Sequence, residues 1–267
     1  MLTLYHQETS VCSSKVRFVL AEKKLDYKSR ILDLGKGEQH DPEYLRMHPK
    51  GLVPTLVHDD KTIIESNVIC EYLEDVFEEN SLKPQDPFGK ARMRMWTRQL
   101  DEDVHTMTSI ISTAIAFRHL HLQAPPEVVE ANFLKIKDRT RRNRSRDIIM
   151  NGLEADAVID STLRFAKLLS DMQATLGNST WLAGETFSLA DIALAPYITR
   201  LDHLQLQFMW EDYPSVNDWY KRIVKREAYV TSHSTWFETD FIVKLMKEKG
   251  QESAPFIKSI LENKGAN

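Results

Sequence analysis

The 267-residue chain has only two cysteines, Cys12 and Cys70. That excludes a disulfide scaffold and fits a reducing compartment. No apolar run approaches the roughly 18 residues that a spanning helix needs, and "MLTLYH" at the N-terminus shows no basic segment feeding an apolar stretch. Neither sign of charge dominates: 35 Lys and Arg stand against 39 Asp and Glu, a formal net charge of −4. There is thus no global pull toward nucleic acid or an anionic membrane. Internal repeats and low-complexity tracts are also missing. These absences leave a soluble, cytoplasmic protein as the expectation, with no nucleic-acid partner, no membrane partner and no metal. Its 42% hydrophobic and 28% charged residues are ordinary for a globular chain long enough to bury a proper core.

The first 80 residues alternate between strand and helix patterns. "LTLYH" has period two, and Val16, Val19 and Leu20 recur at helical spacing. "YKSRILDL" reads as a second strand and "DPEYLRM" as a short helix. "PTLVHDD" and "KTIIES" form a hairpin about an Asp-Asp-Lys turn. In "NVICEYLEDVF", Val68, Ile69, Tyr72, Leu73 and Phe77 share one side of a helix. The order β-α-β-α-β-β-α predicts a small α/β domain over residues 1–80 with a four-stranded mixed sheet. "ENSLKPQDPFG" lacks periodicity and supplies a linker at 81–87. Residues 88–267 then read as all-helical. Trp96, Leu100, Val104, Met107, Ile111 and Ile115 mark one long apolar stripe, and Leu163 to Leu176 another. "SLADIALAPYITRL" opens with a variant capping box, Ser188 and Asp191, and Pro196 is expected to bend its helix.

Four stretches in this order carry a resemblance: "SVCSSKVR", "LVPTL", "ESNVICEYLE" and "FSLADIALAP". The chain resembles the glutathione transferase superfamily, which pairs a thioredoxin-like N-terminal domain with an all-α C-terminal one. "IIESNVICEYLEDVFEENSLKPQDPFGKARMRMW" looks like the bacterial β-aryl-etherase branch, as does the long section from Phe117 to Gly152. "SVCSSKVR" looks more like zeta-class members and related dehalogenases.

The resemblance implies glutathione as co-substrate, a small hydrophobic electrophile as second substrate and a homodimeric assembly. It also gives roles to residues that have physical reasons of their own. Pro54 inside a strand pattern marks an edge or sharp turn, and Val53-Pro54 is a candidate cis peptide whose Val53 backbone groups would pair with the cysteinyl part of glutathione. Ser66, read as the N-cap of a helix, would hold the γ-glutamyl carboxylate, with Glu65 near its ammonium group. Gln39, His40 and Lys50 are candidates for the glycyl carboxylate, while Leu52 stands where relatives often carry Gln or Lys.

A free thiol has a pKa of about 8.5, so little is ionised at neutral pH. Ser10 aligns with a serine that donates to the glutathione sulfur, and Cys12 with a cysteine that can itself attack. Ser10 chemistry gives conjugation, ether cleavage, dehalogenation or cis-trans isomerisation by glutathione thiolate. Cys12 chemistry gives thiol transfer or reductive dehalogenation, and a non-catalytic glutathione-binding protein is the third possibility. Ser13 and Ser14 read as first-turn helix residues and Cys70 as core. Met107, Ile111, Ile115 and Phe117 are expected to wall the electrophile pocket, with Trp236, Phe237 and Phe241 covering it. The basic run Lys135 to Arg146 has no interleaved aromatics and reads as a solvated helix end.

Overall fold

The computed structural model describes residues 1–234, 236 and 241–264. A four-stranded sheet is built from β1 (Leu2–His6), β2 (Tyr27–Ile31), β3 (Thr55–His58) and β4 (Lys61–Ile64), in the order β2-β1-β3-β4. β1 runs parallel to β2 and antiparallel to β3, and β3 and β4 form the hairpin. Along β1 the buried residues Leu2, Leu4 and His6 alternate with the half-buried Thr3 and Tyr5, as a pleated strand requires. Asp59, with φ of 55°, takes the left-handed corner of the hairpin turn.

Three helices complete this part: α1 (Val11–Glu22), α2 (Pro42–Met47) and α3 (Ser66–Val76). α1 and α3 pack on one another. α2 meets the Tyr5 side of the sheet, where the Tyr5 and Tyr44 rings lie 5.9 Å apart. α1 is buried nearly all round, with Val16, Phe18, Val19 and Leu20 at 0% exposure. Such a helix must also bury whatever polar residues its sequence carries.

The rest is helical: α4 (Pro87–Gln99), α5 (His105–Ser112), α6 (Arg118–His121), α7 (Pro126–Leu134), α8 (Arg139–Asn151), α9 (Asp156–Leu176), α10 (Leu189–His203), α11 (Pro214–Val224) and a last helix, Phe241–Lys264. Two π-helical turns, Leu100–Val104 and Thr113–Phe117, interrupt the apolar stripe that the sequence presents as one regular α-helix. Pro196 lies inside α10. The predicted capping box forms at its start: Ser188 N–H and hydroxyl both donate to Asp191 Oδ2, at 3.0 and 3.2 Å. Asp191 is fully buried and also accepts from Leu182 N–H and Trp219 Nε1–H, while burial pushes its pKa up.

The chain divides into two compact units. One comprises residues 1–98 and 176–197 with the described residues of 218–240; the other comprises 99–175 and 198–217 with those of 241–267. In the second unit, a Cβ on Gly250 would lie 2.1 Å from the Leu204 carbonyl oxygen, so only glycine lets the last helix come that close.

Candidate active site

Strand register assembles the site. Tyr5 pairs with Thr55, and Thr55 with Ile64. The carboxyl end of β1, the start of β3 and the end of β4 therefore meet at one end of the sheet. The segments attached to those ends are Gln7–Ser10 leading into α1, Val53–Pro54, and Glu65 leading into α3. Residues separated by more than fifty positions in the chain become neighbours through hydrogen-bonded pairing alone.

Ser10 caps α1 in an extended conformation (φ −70°, ψ 121°), and its Oγ accepts from Ser13 N–H at 3.2 Å. A hydroxyl that accepts there keeps its own hydrogen for another acceptor. Cys12, half-buried in the first turn, has Sγ 3.8 Å from Tyr197 Oη. Ser13 and Ser14 are buried and engaged inward: Ser13 Oγ accepts from Gln7 N–H, and Ser14 Oγ from Arg17 Nη2. Cys70 is buried in the core at 3% exposure.

The Val53–Pro54 peptide is cis. Neither backbone group of Val53 takes a hydrogen-bond partner among the described residues. The preceding loop is fastened by Tyr44, whose hydroxyl donates to the Leu52 carbonyl at 2.5 Å and accepts from Thr55 Oγ1 at 2.9 Å. Burial pushes the Tyr44 pKa up to about 12. Gly51 has φ of +59°, and a Cβ there would stand 2.9 Å from both Gln39 O and His40 Nδ1. Its missing side chain is what brings the Gln39–His40 turn against the loop before Pro54. His40 is exposed, and Gln39 Oε1 is buried with no hydrogen-bond partner.

At α3 the sequence reading needs a correction. Ser66 is the first helical residue, and Glu65 holds the cap position with φ of 68° and no side-chain capping bond. The reason is competition: Ser66 Oγ accepts from Lys15 Nζ at 3.1 Å, so it is not turned back onto its own helix. Glu65 Oε1 instead takes Lys50 Nζ at 2.7 Å, across a solvent-exposed pair. Two residues expected at opposite ends of a ligand are thus partners here. Neither α1 nor α3 has an acidic residue inside its first turn, and the Glu65 carboxylate at the cap of α3 is taken by Lys50.

The residues expected to wall a pocket lie on α5 and the π turn after it, in the second unit. Ile111 and Ile115 are each 1% exposed and give their side chains to core packing, leaving little surface for a ligand. Met107 and Phe117 are half-buried. Met107 Sδ accepts from Ser161 Oγ, and the Phe117 ring lies 5.4 Å from the Arg200 guanidinium. Trp236 stands edge-on to His6 at 5.1 Å and under the Arg17 guanidinium at 4.8 Å, so its ring packs on the buried His6–Arg17 pair. Phe241 is 61% exposed, and Phe237 lies outside the described residues. The basic run falls largely on exposed positions at the start of α8, with Arg146 paired to Glu130.

Sequence reasoning missed two buried cations in α1. Arg17 donates to the Gln7 and Glu8 carbonyls at 3.2 and 2.9 Å, and to Ser232 O at 3.0 Å. It thereby shapes the loop that carries Ser10, and burial lowers its pKa to about 10. Its Nη1 also donates to His6 Nδ1, which leaves His6 Nε2–H to donate to Ser29 Oγ at 2.8 Å. Burial, then the Arg17 charge, pulls His6 down to about 4. The second cation is Lys15, at 0% exposure. A signal existed: Lys15 is four residues before Val19 and Arg17 three before Leu20, so both share the apolar stripe. A separate cleft of about 760 Å³, lined by Lys24, Tyr27 and Arg226 among others, contains none of the candidate residues. Among the described residues no cluster of His, Cys, Asp or Glu is placed to hold a metal ion.

Comparison with known proteins adds to this geometry. Residues 9–76 match the family model "Glutathione S-transferase, N-terminal domain", and residues 155–227 match "Glutathione S-transferase, C-terminal domain". Protein LigF of Sphingobium sp. (strain NBRC 103272 / SYK-6) is 34% identical over 193 residues, covering 72% of this chain and 75% of LigF. Glutathione S-transferase GstB of Escherichia coli K12 is 27% identical over 231 residues, 85% of this chain and 95% of GstB. The crystal structure of β-etherase LigF superposes with a TM-score of 0.77 at 31% identity, over 90% of this chain and 99% of that one.

Proposed function

The chain belongs to the glutathione S-transferase family, and from that premise we propose that it activates the glutathione thiol for attack on a hydrophobic, aromatic electrophile. Conjugation, ether cleavage and dehalogenation are the reactions this chemistry reaches. The β-etherase relative favours an aryl ether among the substrates. In this reading residues 1–80 form the glutathione-binding domain, 81–87 the linker and 88–267 the helical domain bearing the electrophile site. The enzyme works as a homodimer in the cytoplasm, as the family resemblance implies.

The observation that carries the proposal is the pairing of two helix starts at one end of the sheet. Each has a serine whose oxygen is already an acceptor and whose hydroxyl hydrogen is left for another acceptor: Ser10 at α1 and Ser66 at α3. Glutathione carries two anionic groups that suit them, the thiolate and the γ-glutamyl carboxylate. With Val53 offering its N–H and C=O between, the tripeptide lies like an added strand. Ser10 donates to the sulfur and favours its ionised form, aided by the α1 dipole. In this reading glutathione opens the exposed Lys50–Glu65 pair, so that Glu65 meets the γ-glutamyl ammonium while Lys50 joins Gln39 and His40 at the glycyl end. The half-buried Met107 and Phe117 are the surviving candidates for contact with the electrophile.

Cys12 supports a second reading, because its sulfur sits in the first turn of α1 and is half-exposed. There the Cys12 thiolate attacks the glutathione sulfur of a substrate disulfide or of an aryl–glutathione conjugate, forming the Cys12–glutathione disulfide as the substrate thiol or the reduced, protonated arene leaves. A second glutathione then releases Cys12 and departs as glutathione disulfide, giving thiol transfer or reductive dehalogenation. Turnover of a panel of aryl ethers, chloroaromatics and disulfides with glutathione, in wild type, Ser10→Ala and Cys12→Ala, separates the two. The first reading expects ether or haloarene turnover that survives Cys12→Ala and falls in Ser10→Ala. Turnover lost in Cys12→Ala alone would move the chemistry to the cysteine. A flat calorimetric titration with glutathione would refute both.

A further inference from the structure

Lys15 is 0% exposed, yet its ammonium has no carboxylate within ion-pair distance among the described residues. Its contacts are neutral: Ser66 Oγ at 3.1 Å, Asn67 Oδ1 at 2.7 Å and the Tyr197 ring, whose centroid is 5.7 Å away. The buried cations Lys23 and Arg17 find fuller compensation. Lys23 is paired with the Glu74 carboxylate at 2.6 Å, and Arg17 is ringed by backbone carbonyls. A buried charge without a counterion is costly, by several kcal/mol per ion in real proteins, and is retained where an anion completes it.

The direction in which the charge acts follows from hydrogen-bond chemistry. An ammonium only donates, so Ser66 Oγ must be the acceptor in its bond to Lys15. The Ser66 hydroxyl hydrogen is then directed to another acceptor, and its O–H is polarised by the cation behind it. The same residue opens α3, whose first-turn N–H groups have no acidic neighbour within that turn. Cation, hydroxyl and helix pole thus converge on one point where an anion would be held.

We propose that Lys15 is the internal countercharge for the α-carboxylate of the γ-glutamyl residue, acting through Ser66. This rests on the glutathione reading above and adds a residue to it. Lys15 is a positioning residue: it does not touch the ligand but sets the polarity of the group that does. The reciprocal consequence is that glutathione supplies the anion the folded protein lacks, so binding stabilises the fold by more than an uncharged peptide would.

The test uses glutathione and its decarboxylated analogue, in which hydrogen replaces the γ-glutamyl α-carboxylate, titrated calorimetrically into wild type and Lys15→Met. Wild type should prefer glutathione by roughly tenfold or more, given one fixed charge at close range in a partly desolvated site. Lys15→Met should lose most of that preference, its affinity for glutathione falling to that for the analogue. A merely structural lysine would weaken both ligands alike and leave the ratio intact, and that result overturns the proposal. Equal affinities in wild type overturn it too, while leaving glutathione binding itself in place. A wild type that binds neither ligand removes the underlying reading. Lys15→Gln, which keeps a neutral donor against Ser66, gives the same comparison where the methionine variant does not fold.

Discussion

Replacing Ser10 by alanine removes a helix cap and, under the proposed function, a thiolate donor together, and the two effects can be measured apart. The cap is the bond from Ser13 N–H to Ser10 Oγ at 3.2 Å. Its loss costs about 1 kcal/mol of stability, whereas glycine at a cap position costs only a few tenths. The donor effect is separate. A hydrogen bond to a charged group contributes about 1.5–3 kcal/mol. At about 1.36 kcal/mol per pKa unit, its removal raises the pKa of bound glutathione by about one to two units. Ser10→Ala and Ser10→Gly should therefore differ in stability but share the same thiol shift. The assay follows the ultraviolet absorbance of the enzyme-bound thiolate against pH, beside kcat/KM over the same range. Both variants should lose about tenfold or more of kcat/KM below the wild-type midpoint, and should converge on wild type at pH values above both midpoints. Ser10→Thr keeps cap and hydroxyl and should restore both. An unmoved midpoint in Ser10→Ala refutes the assignment of Ser10 as the donor, whatever happens to turnover.

Two further predictions concern the scaffold around the site. Gly51→Ala places a Cβ 2.9 Å from a backbone oxygen at a left-handed φ; it should cost about 1–3 kcal/mol in denaturant unfolding and raise KM for glutathione more than it lowers kcat, and an unchanged KM would separate the Gln39–His40 turn from binding. His6 is held at about 4 against 6.5 for the exposed group, so the unfolded chain binds the extra proton between those values; stability is full above pH 6.5 and falls toward pH 4, by about 3 kcal/mol from this group. Unfolding in denaturant at the two ends of that window should show a shallower loss in His6→Gln than in wild type, and equal losses would contradict the buried neutral imidazole.

The sheet and the helix-rich remainder were legible because their signals are short-range. Period two in Leu2–His6, helical spacing at Val16, Val19 and Leu20, and the Ser188–Asp191 box each state local geometry directly. The glutathione-site candidates were legible as residue types, since a serine before a helix and a proline inside a strand have few physical meanings. What stayed hidden depends on partners distant in sequence. Ser66 reads as a cap until Lys15, 51 residues earlier, takes its oxygen. Lys50 and Glu65 look like independent ligand contacts until folding sets them 2.7 Å apart. Ile111 and Ile115 look available on a helical wheel, which carries no information on how much of a stripe the neighbouring helices cover. The two π turns leave no composition signal, because each differs from its surroundings by one hydrogen-bond step.

Arg17 donates to Ser232, 215 positions further along. During synthesis the first strand, the first helix and most of the sheet leave the ribosome long before that acceptor exists. Until it arrives the guanidinium lacks one of its fixed partners, and the segment bearing Ser10 is held only from one side. The loop that carries the candidate donor Ser10 is thus encoded first and latched nearly last, so a chain cut short before Ser232 would lack one of the fixed points that hold the Arg17 guanidinium against it.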